Sequence, residues 1–349
     1  EETHFLIGGQ VTKSIYKTIT DFKTFNQLDV IIGEGEYIVS SIVKNDVKEQ
    51  PFYTKKNRRV FKIDNNSIYF PQDISNLILD RSLFENEPSE NKYGHNEANI
   101  ITSRGCMYNC VFCGAAKSLN KDISIRIKDE NSIKEEVNYL INLYSELESI
   151  RVLDDLFLRN VEDIEKVSRI FNNKLYWRTM AHALSFKKAN NSDLKILSQS
   201  GCKEVFMGIE SGSQKILKSI NKFHNLKYLE ETISNLLKVG INVKGYFIYG
   251  FPEENREEMN DTYNLAHKLK TLSSSYSGSF TTSVFQFRPY HGTILYNKIS
   301  QSNQENLNFS RNQNLNLDGR LQFNFHAGNF SNASEEMVEY YIQETLKLN

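Results

Sequence analysis

The sequence is short of several features that would settle its class at once. Cysteine is scarce, with four in 349 residues, too few for the disulfide framework of a small secreted domain. Neither charge sign dominates, Lys+Arg being 42 against Asp+Glu 43, so the overall basic footprint of a nucleic-acid binder is missing. The densest basic cluster, Lys55, Lys56, Arg58 and Arg59, is short and reads as a solvated loop. No apolar run approaches the ~18 residues of a membrane span. No signal-peptide pattern opens the chain, and no internal repeat is present. These absences lead us to expect a soluble, cytoplasmic protein that binds neither nucleic acid nor membrane. The chain opens on Glu1 rather than Met, which leads us to expect a longer native protein.

What is present begins with a strand–helix–strand–helix pattern. Thr3–Ile7 is a short apolar run ending at Gly8-Gly9, and a helical stretch follows to about Phe25. A second strand, Leu28–Ile32, ends at Gly33-Glu34-Gly35-Glu36, and a helix follows with Ile38, Val39, Ile42 and Val43 on its apolar face. Such a fragment of about forty residues is too small to bury a core alone. Residues 45–97 are polar and punctuated by Pro51, Pro71 and Pro88, and read as an irregular linker.

From Asn99 the pattern is regular. Strands are expected near Asn99–Thr102, Ile150–Asp154, Leu175–Met180, Glu204–Gly208, Val243–Ile248 and Phe280–Phe287. Helical runs separate them. Six strands alternating with helices predict a parallel α/β sheet rolled into a partial barrel, with its site at the carboxyl ends of the strands. Residues 301–320, rich in Asn and Gln, read as a mobile loop ahead of a C-terminal helical segment.

Directly after the first barrel strand comes Cys106-x3-Cys110-x2-Cys113. Three thiolates this close on one loop suit three corners of a 4Fe–4S cluster, leaving one iron open for reaction. A structural zinc site wants a fourth ligand, and the one other cysteine, Cys202, lies far along the chain. A zinc knuckle and three buried structural thiols are the alternatives. At the strand ends, Asp154-Asp155 suits a cation, a ligand amine or a helix cap. Glu210, between Gly208 and Gly212, either aims a carboxylate into the barrel mouth or leaves Ser211 or Ser213 to cap the next helix. Gly8-Gly9 also suits the end of an ordinary strand.

The cysteine loop, with Phe112 before its last cysteine, resembles the radical S-adenosylmethionine (SAM) superfamily signature. The resemblance implies a partial (β/α)6 barrel in which the open iron chelates SAM, and an electron cleaves it to start radical chemistry. The segment Gly208-Ile209-Glu210-Ser211-Gly212-Ser213, with Asn221-Lys222 after it, resembles the subgroup that carries an N-terminal cobalamin (B12)-binding-type domain. So do Asp155 in Asp-Asp-x-Phe, the Gly245–Glu254 stretch and Pro289-x-x-Gly-Thr. The likeness implies cluster ligation by Cys106, Cys110 and Cys113, and SAM contacts from Tyr108, Phe112, Asp155, Glu210, Ser211, Tyr246 and Gly250. On the substrate side it implies Arg178, His182, Arg288 and Tyr290, although for His182 a hydrogen-bonded rim role is the plainer reading.

The glycine-ended strands before residue 44 resemble the second half of a B12-binding Rossmann domain, which makes cobalamin a further expected cofactor. The expected organisation is therefore a truncated Rossmann-like segment 1–44, a linker 45–97, the barrel 98–300 and a tail 301–349. The expected activity is radical chemistry on a small molecule or natural product, supplied with electrons by a donor such as flavodoxin or ferredoxin. It is either cobalamin-dependent methylation or rearrangement, or cobalamin-independent dehydration, decarboxylation, epimerisation or oxidation. The non-enzyme alternative is an iron–sulfur or cobalamin sensor, against which the strand-end residues count. Without a second cysteine set, methylthiotransfer is not expected.

Overall fold

A computed structural model describes residues 3–84, 86–172, 174–222, 225–302 and 328–349. The expected mobile loop at 301–320 lies, from residue 303 on, outside the described residues. The chain divides into two units: residues 1–74, 105–126 and 289–304 form the first, and 75–104, 127–288 and 305–349 the second.

In the first unit, the two opening apolar runs become β1 (His4–Ile7) and β2 (Gln27–Gly33). They join β3 (Tyr53–Lys55) and β4 (Arg58–Ile63) in the order β1-β2-β4-β3. β1, β2 and β4 are parallel, and β3 is antiparallel to β4. β2 is buried from Leu28 to Ile32, apolar except at Asp29, because both faces are covered. Leu28, Val30 and Ile32 pack with Ile19 of α1 (Thr12–Asp21), whereas Ile31 packs with Ile38 and Ile42 of α2 (Glu36–Val43).

β4 corrects the sequence reading. The expected linker 45–97 contributes two strands here, and its later part, from residue 75, belongs to the second unit. Three of the four charges that made Lys55–Arg59 resemble a loop are answered. Lys55 pairs with Asp21, Arg58 donates to the carbonyls of Thr20 and Phe25, and Arg59 forks onto the buried Asp29 at 2.8 and 2.7 Å. With the charge neutralised, Val60, Phe61 and Ile63 are free to be core.

The second unit is an open, curled sheet in the order β13-β12-β11-β10-β9-β6-β5. Its members are β5 (Ser89–Glu90), β6 (Asn96–Ile100), β9 (Ser149–Val152), β10 (Tyr176–Ala181), β11 (Cys202–Glu210), β12 (Asn242–Tyr249) and β13 (Phe280–Gln286). The two-residue strands β7 (Ser103–Arg104) and β8 (Arg126–Ile127) are not part of it. All pairings from β6 to β13 are parallel, and β5 is antiparallel to β6. The helices are α3 (Glu130–Leu143), α4 (Glu162–Phe171), α5 (Asn191–Gln199), α6 (Gln214–Ser219), α7 (Leu226–Lys238) and α8 (Arg256–Ser273), with a further helix at Glu335–Leu346. Among the described residues no helix is long and apolar enough to cross a membrane.

Strand alternation divides the residues between two faces. Trp177, Val205, Val243 and Phe280 belong to the helix-side core. On the other face Phe206, Tyr246 and Phe285 form a ladder, with centroids 6.2 and 5.9 Å apart, and the Arg151 guanidinium lies 5.1 Å from the Phe206 ring. β6 starts three residues before the expected Asn99 because Glu97, polar in sequence, is buried by Ser149, Asn91 and Arg178. Its outer edge at Asn99 is closed by side chains. Glu87 accepts from the Asn99 N–H at 2.7 Å, Arg81 donates to the Asn99 carbonyl at 2.8 Å, and Arg81 and Glu87 pair at 2.7 Å.

Candidate functional site

The cysteine loop folds within the first unit as a series of tight turns. Cys113 N–H donates to the Cys110 carbonyl at 3.1 Å, Ala116 N–H to that of Cys113 at 3.2 Å, and Lys117 N–H to that of Tyr108 at 2.9 Å. Ser118 N–H donates to the Asn109 side chain at 2.6 Å. Cys106, Cys110 and Cys113 are in the thiol form and half-buried, so they are held in place yet reachable. Among the described residues no three His, Cys, Asp or Glu side chains are grouped to hold a single metal ion. The donors offered are three thiols from one loop, the soft set that iron–sulfur clusters take. Cys202 differs in kind: it is buried at the start of β11, and burial pushes its thiol pKa up, which suits a core residue.

The loop is fastened to the Rossmann-like strands. Gly114, next to Cys113, faces Gln10, and a Cβ there would lie 3.1 Å from the Gln10 Oε1. Lys13 donates to the Leu119 carbonyl at 3.1 Å and to Asp122 at 2.7 Å, and Lys62 reaches Asp122 at 2.8 Å. Burial alone would raise the Asp122 pKa, but the two lysines outweigh it and bring it to about 2. Leu295 N–H donates to the Val111 carbonyl at 3.0 Å. The strand ends themselves turn on glycine. Gly33 has a φ of +99°, and a Cβ there would overlap the Ile63 carbonyl. Tyr108 and Phe112 lie on this loop, and Tyr290, half-exposed, lies in the turn closed by the Thr293 N–H to Tyr290 carbonyl bond.

In the second unit the expected residues lie at several strand ends. Asp154, after β9, is buried and accepts from Thr102 N–H, Thr102 Oγ1 and Ser103 Oγ at 2.6–2.7 Å. It therefore anchors the chain just upstream of the cysteine loop, while Asp155 beside it is exposed. Glu210 ends β11 with a φ of +66° and pairs with Lys222 at 3.1 Å, both side chains being buried. Gly250 ends β12 with a φ of +91°, and its N–H donates to Glu254 at 2.6 Å. Tyr246 is the middle ring of the aromatic ladder. Arg288 follows β13.

Two expectations change, and a third follows its plainer reading. Arg178 sits in the first half of β10, with its guanidinium between Glu97 and Glu204. It is part of a charged plug away from the strand ends, with Nε, Nη1 and Nη2 each already donating to a carboxylate. Ser211 is fully buried, with its hydroxyl 2.9 Å from that of Thr262 and accepting from Ser213 N–H at 3.1 Å. It shapes the turn rather than facing a ligand, and Ser213, the other expected cap, makes no side-chain cap bond. His182 folds back so that Nδ1 accepts from Leu184 N–H at 3.1 Å, the rim role already considered. Sequence reasoning overlooked Gln10, and it named Glu254 and Lys222 only as the ends of the Gly245–Glu254 and Glu210-to-Lys222 segments, without their roles as partners of Gly250 and Glu210.

Residues 100–266 match the family described as the Radical SAM superfamily. An uncharacterized methyltransferase of Pyrococcus horikoshii is 31% identical over 189 residues, covering 52% of this chain and 40% of that protein. The bacteriochlorophyllide d C-12(1)-methyltransferase of Chlorobaculum tepidum is 26% identical over 266 residues, covering 74% of this chain and 53% of its own length. The chain thus spans about half the length, or less, of these curated relatives. Among solved structures, the cobalamin-dependent radical enzyme OxsB with aqua-cobalamin and SAM bound superposes with a TM-score of 0.59 at 14% identity, covering 87% of this chain and 52% of that one. The methyltransferase TsrM of Kitasatospora setae, with tryptophan and a SAM analogue, gives 0.61 at 14%, covering 85% and 58%. At such identities the likeness is one of fold.

Proposed function

From the premise that this chain carries a radical SAM domain over residues 100–266, we propose that it is a cobalamin-dependent radical SAM enzyme that methylates a small molecule or natural product. The observation that carries the reading is the make-up of the first unit. The cysteine loop folds together with the Rossmann-like sheet, and Gln10, just past the Gly8-Gly9 end of β1, packs against the residue following Cys113. A cluster on the loop and a corrin at the strand ends would then share one compact unit.

When bound, a 4Fe–4S cluster supplies the electron for SAM cleavage and cobalamin supplies a methyl carrier. Cys106, Cys110 and Cys113 would hold the cluster through their thiolates. Glu210 offers a buried carboxylate to the cationic end of SAM, and Tyr246 a ring face within the ladder. Gly250, Tyr108, Phe112 and Asp155 are the further SAM candidates, with Arg288 and Tyr290 toward substrate. The electron would come from an external donor such as flavodoxin or ferredoxin. One relative is named as a putative methylthiotransferase and another as a tRNA-2-methylthio-N(6)-dimethylallyladenosine synthase, but this chain has one cysteine outside the loop, Cys202, and it is buried.

The test uses anaerobically reconstituted protein. With SAM and reductant it should release 5′-deoxyadenosine, and after hydroxocobalamin is added and the protein desalted it should keep the corrin absorption. Cleavage of SAM without corrin retention would replace methylation by cobalamin-independent radical chemistry. Absence of both would return the protein to a sensor role.

A further inference from the structure

We infer that the substrate carries an anionic oxyacid group, a carboxylate or a phosphate, and that Arg151 on the inner face of β9 binds it. The inference deepens the small-molecule reading given above and rests on it. Ile150 and Val152, on either side of Arg151, belong to the helix-side core, so Arg151 projects from the face that carries the aromatic ladder. Its guanidinium lies 5.1 Å from the Phe206 ring, and its Nε is buried without a hydrogen-bond partner among the described residues. An aromatic ring holds a guanidinium in place without using its N–H donors as hydrogen bonds. A buried donor left unpaired is costly, and an oxyanion would satisfy it.

The charges on this face leave Arg151 over. Glu97 and Glu204, acids of the same face, are taken by Arg178 and Lys92. No carboxylate pairs with Arg151 among the described residues. Its neighbours in register are the neutral Asn99 on β6 and a like charge, Arg178, on β10. Lys244, in register with Phe206 on β12, adds another basic residue to the face. The face is also accessible. Val243 and Phe280 on the helix side are fully buried, whereas Tyr246, Thr281 and Ser283 on the inner side are half-buried, as is Arg151. Side chains that filled this face themselves would be as buried as their neighbours. Thr281 Oγ1 is a second buried polar atom there without a partner among the described residues. The planar fork of an arginine grips a carboxylate or phosphate through two parallel N–H bonds, and partial enclosure strengthens that attraction over its value in water. The guanidinium stands at the level of Phe206, short of Glu210 at the end of β11, and so below the strand ends proposed for SAM.

The experiment uses the reconstituted protein saturated with SAM in the absence of reductant, so that the carboxylate of SAM has its own site filled. Ligand-observed NMR titration gives dissociation constants for benzoate, phenyl phosphate and the neutral benzamide, with iron content, SAM affinity and melting temperature recorded alongside. The wild-type protein should bind at least one of the two anions about ten-fold more tightly than benzamide. The better anion assigns the group as a carboxylate or a phosphorus oxyacid. Arg151→Met should erase the preference with iron content and SAM affinity unchanged, and Arg151→Lys should keep part of it. Should Arg151→Met fold poorly, Arg151→Gln, which keeps N–H donors without the charge, should show the same loss. Equal binding of benzamide and both anions in the wild-type protein, or a preference that survives in the Met and Gln variants, would overturn this inference alone, provided that SAM is cleaved once reductant is added. Anion binding through Arg151 in a protein that does not cleave SAM would overturn the enzymatic reading, and with it the assignment of the anion to a substrate.

Discussion

Glu254 holds the end of β12 through Gly250: its Oε2 accepts the Gly250 N–H at 2.6 Å and also the Phe251 N–H at 3.1 Å. The other oxygen, Oε1, is buried without a partner among the described residues. Burial pushes this carboxyl up to about 8 from an ordinary 4.5, with the two N–H groups pulling part of the way back. The folded state therefore binds the proton more tightly than the unfolded chain. The stability this contributes is full below 4.5, declines as pH rises and is gone above about 8. Glu254→Gln keeps an acceptor but cannot ionise. Its melting temperature should lack the wild-type decline across that window, and parallel pH curves for the two proteins would refute the assignment.

The cysteines should separate cleanly. Alanine at Cys106, Cys110 or Cys113 should abolish both bound iron and 5′-deoxyadenosine release, whereas Cys202→Ala should keep both and lose only some core stability. Equal iron loss in Cys202→Ala would show that the three-ligand assignment is wrong.

Asp122 gives a pH effect of opposite sign. Its pKa in the fold, about 2, lies below the ordinary 3.8, so its contribution is present above 3.8 and is lost as pH falls through about 2. Replacing Lys13 by Met removes one of its two partners and should shift the midpoint of acid unfolding to higher pH. The shift should be seen with the cluster absent, and an unmoved midpoint would leave the ion pair without effect.

Gly9 and Gly33 both have positive φ but different surroundings. A Cβ at Gly9 meets nothing within 4 Å, while one at Gly33 overlaps the Ile63 carbonyl. Gly9→Ala should cost about 1–2 kcal/mol of backbone strain, and Gly33→Ala about 3 kcal/mol or more, because β4 must also move. Denaturant titration of the two variants checks the order, and comparable losses would contradict the tight packing of β4 on β2.

The barrel strands were legible because periodicity survives where one face packs on helices, as at Val205, Met207 and Ile209 of β11. The cysteine loop was legible because its spacing is local. β4 was not, since Arg58, Arg59 and Lys62 look solvated until their partners on distant segments are known. The same blindness affected Arg178, whose two carboxylate partners lie 81 and 26 residues away along the chain. Nor does the sequence show that the cysteine loop folds with the opening strands, because only contacts such as Gln10 against Gly114 reveal it.

The Arg81–Glu87 pair at the edge of β6 bears on how the protein behaves in a crowded solution. An open sheet ends in amide groups that can recruit a strand from another molecule. β5 covers only Asn96 and Glu97, and beyond them the Asn99 N–H and carbonyl are already taken by Glu87 and Arg81. Two charged side chains thus imitate a neighbouring strand and leave nothing for an intruder to pair with. The sheet can stay open on this side without inviting fibrous self-association.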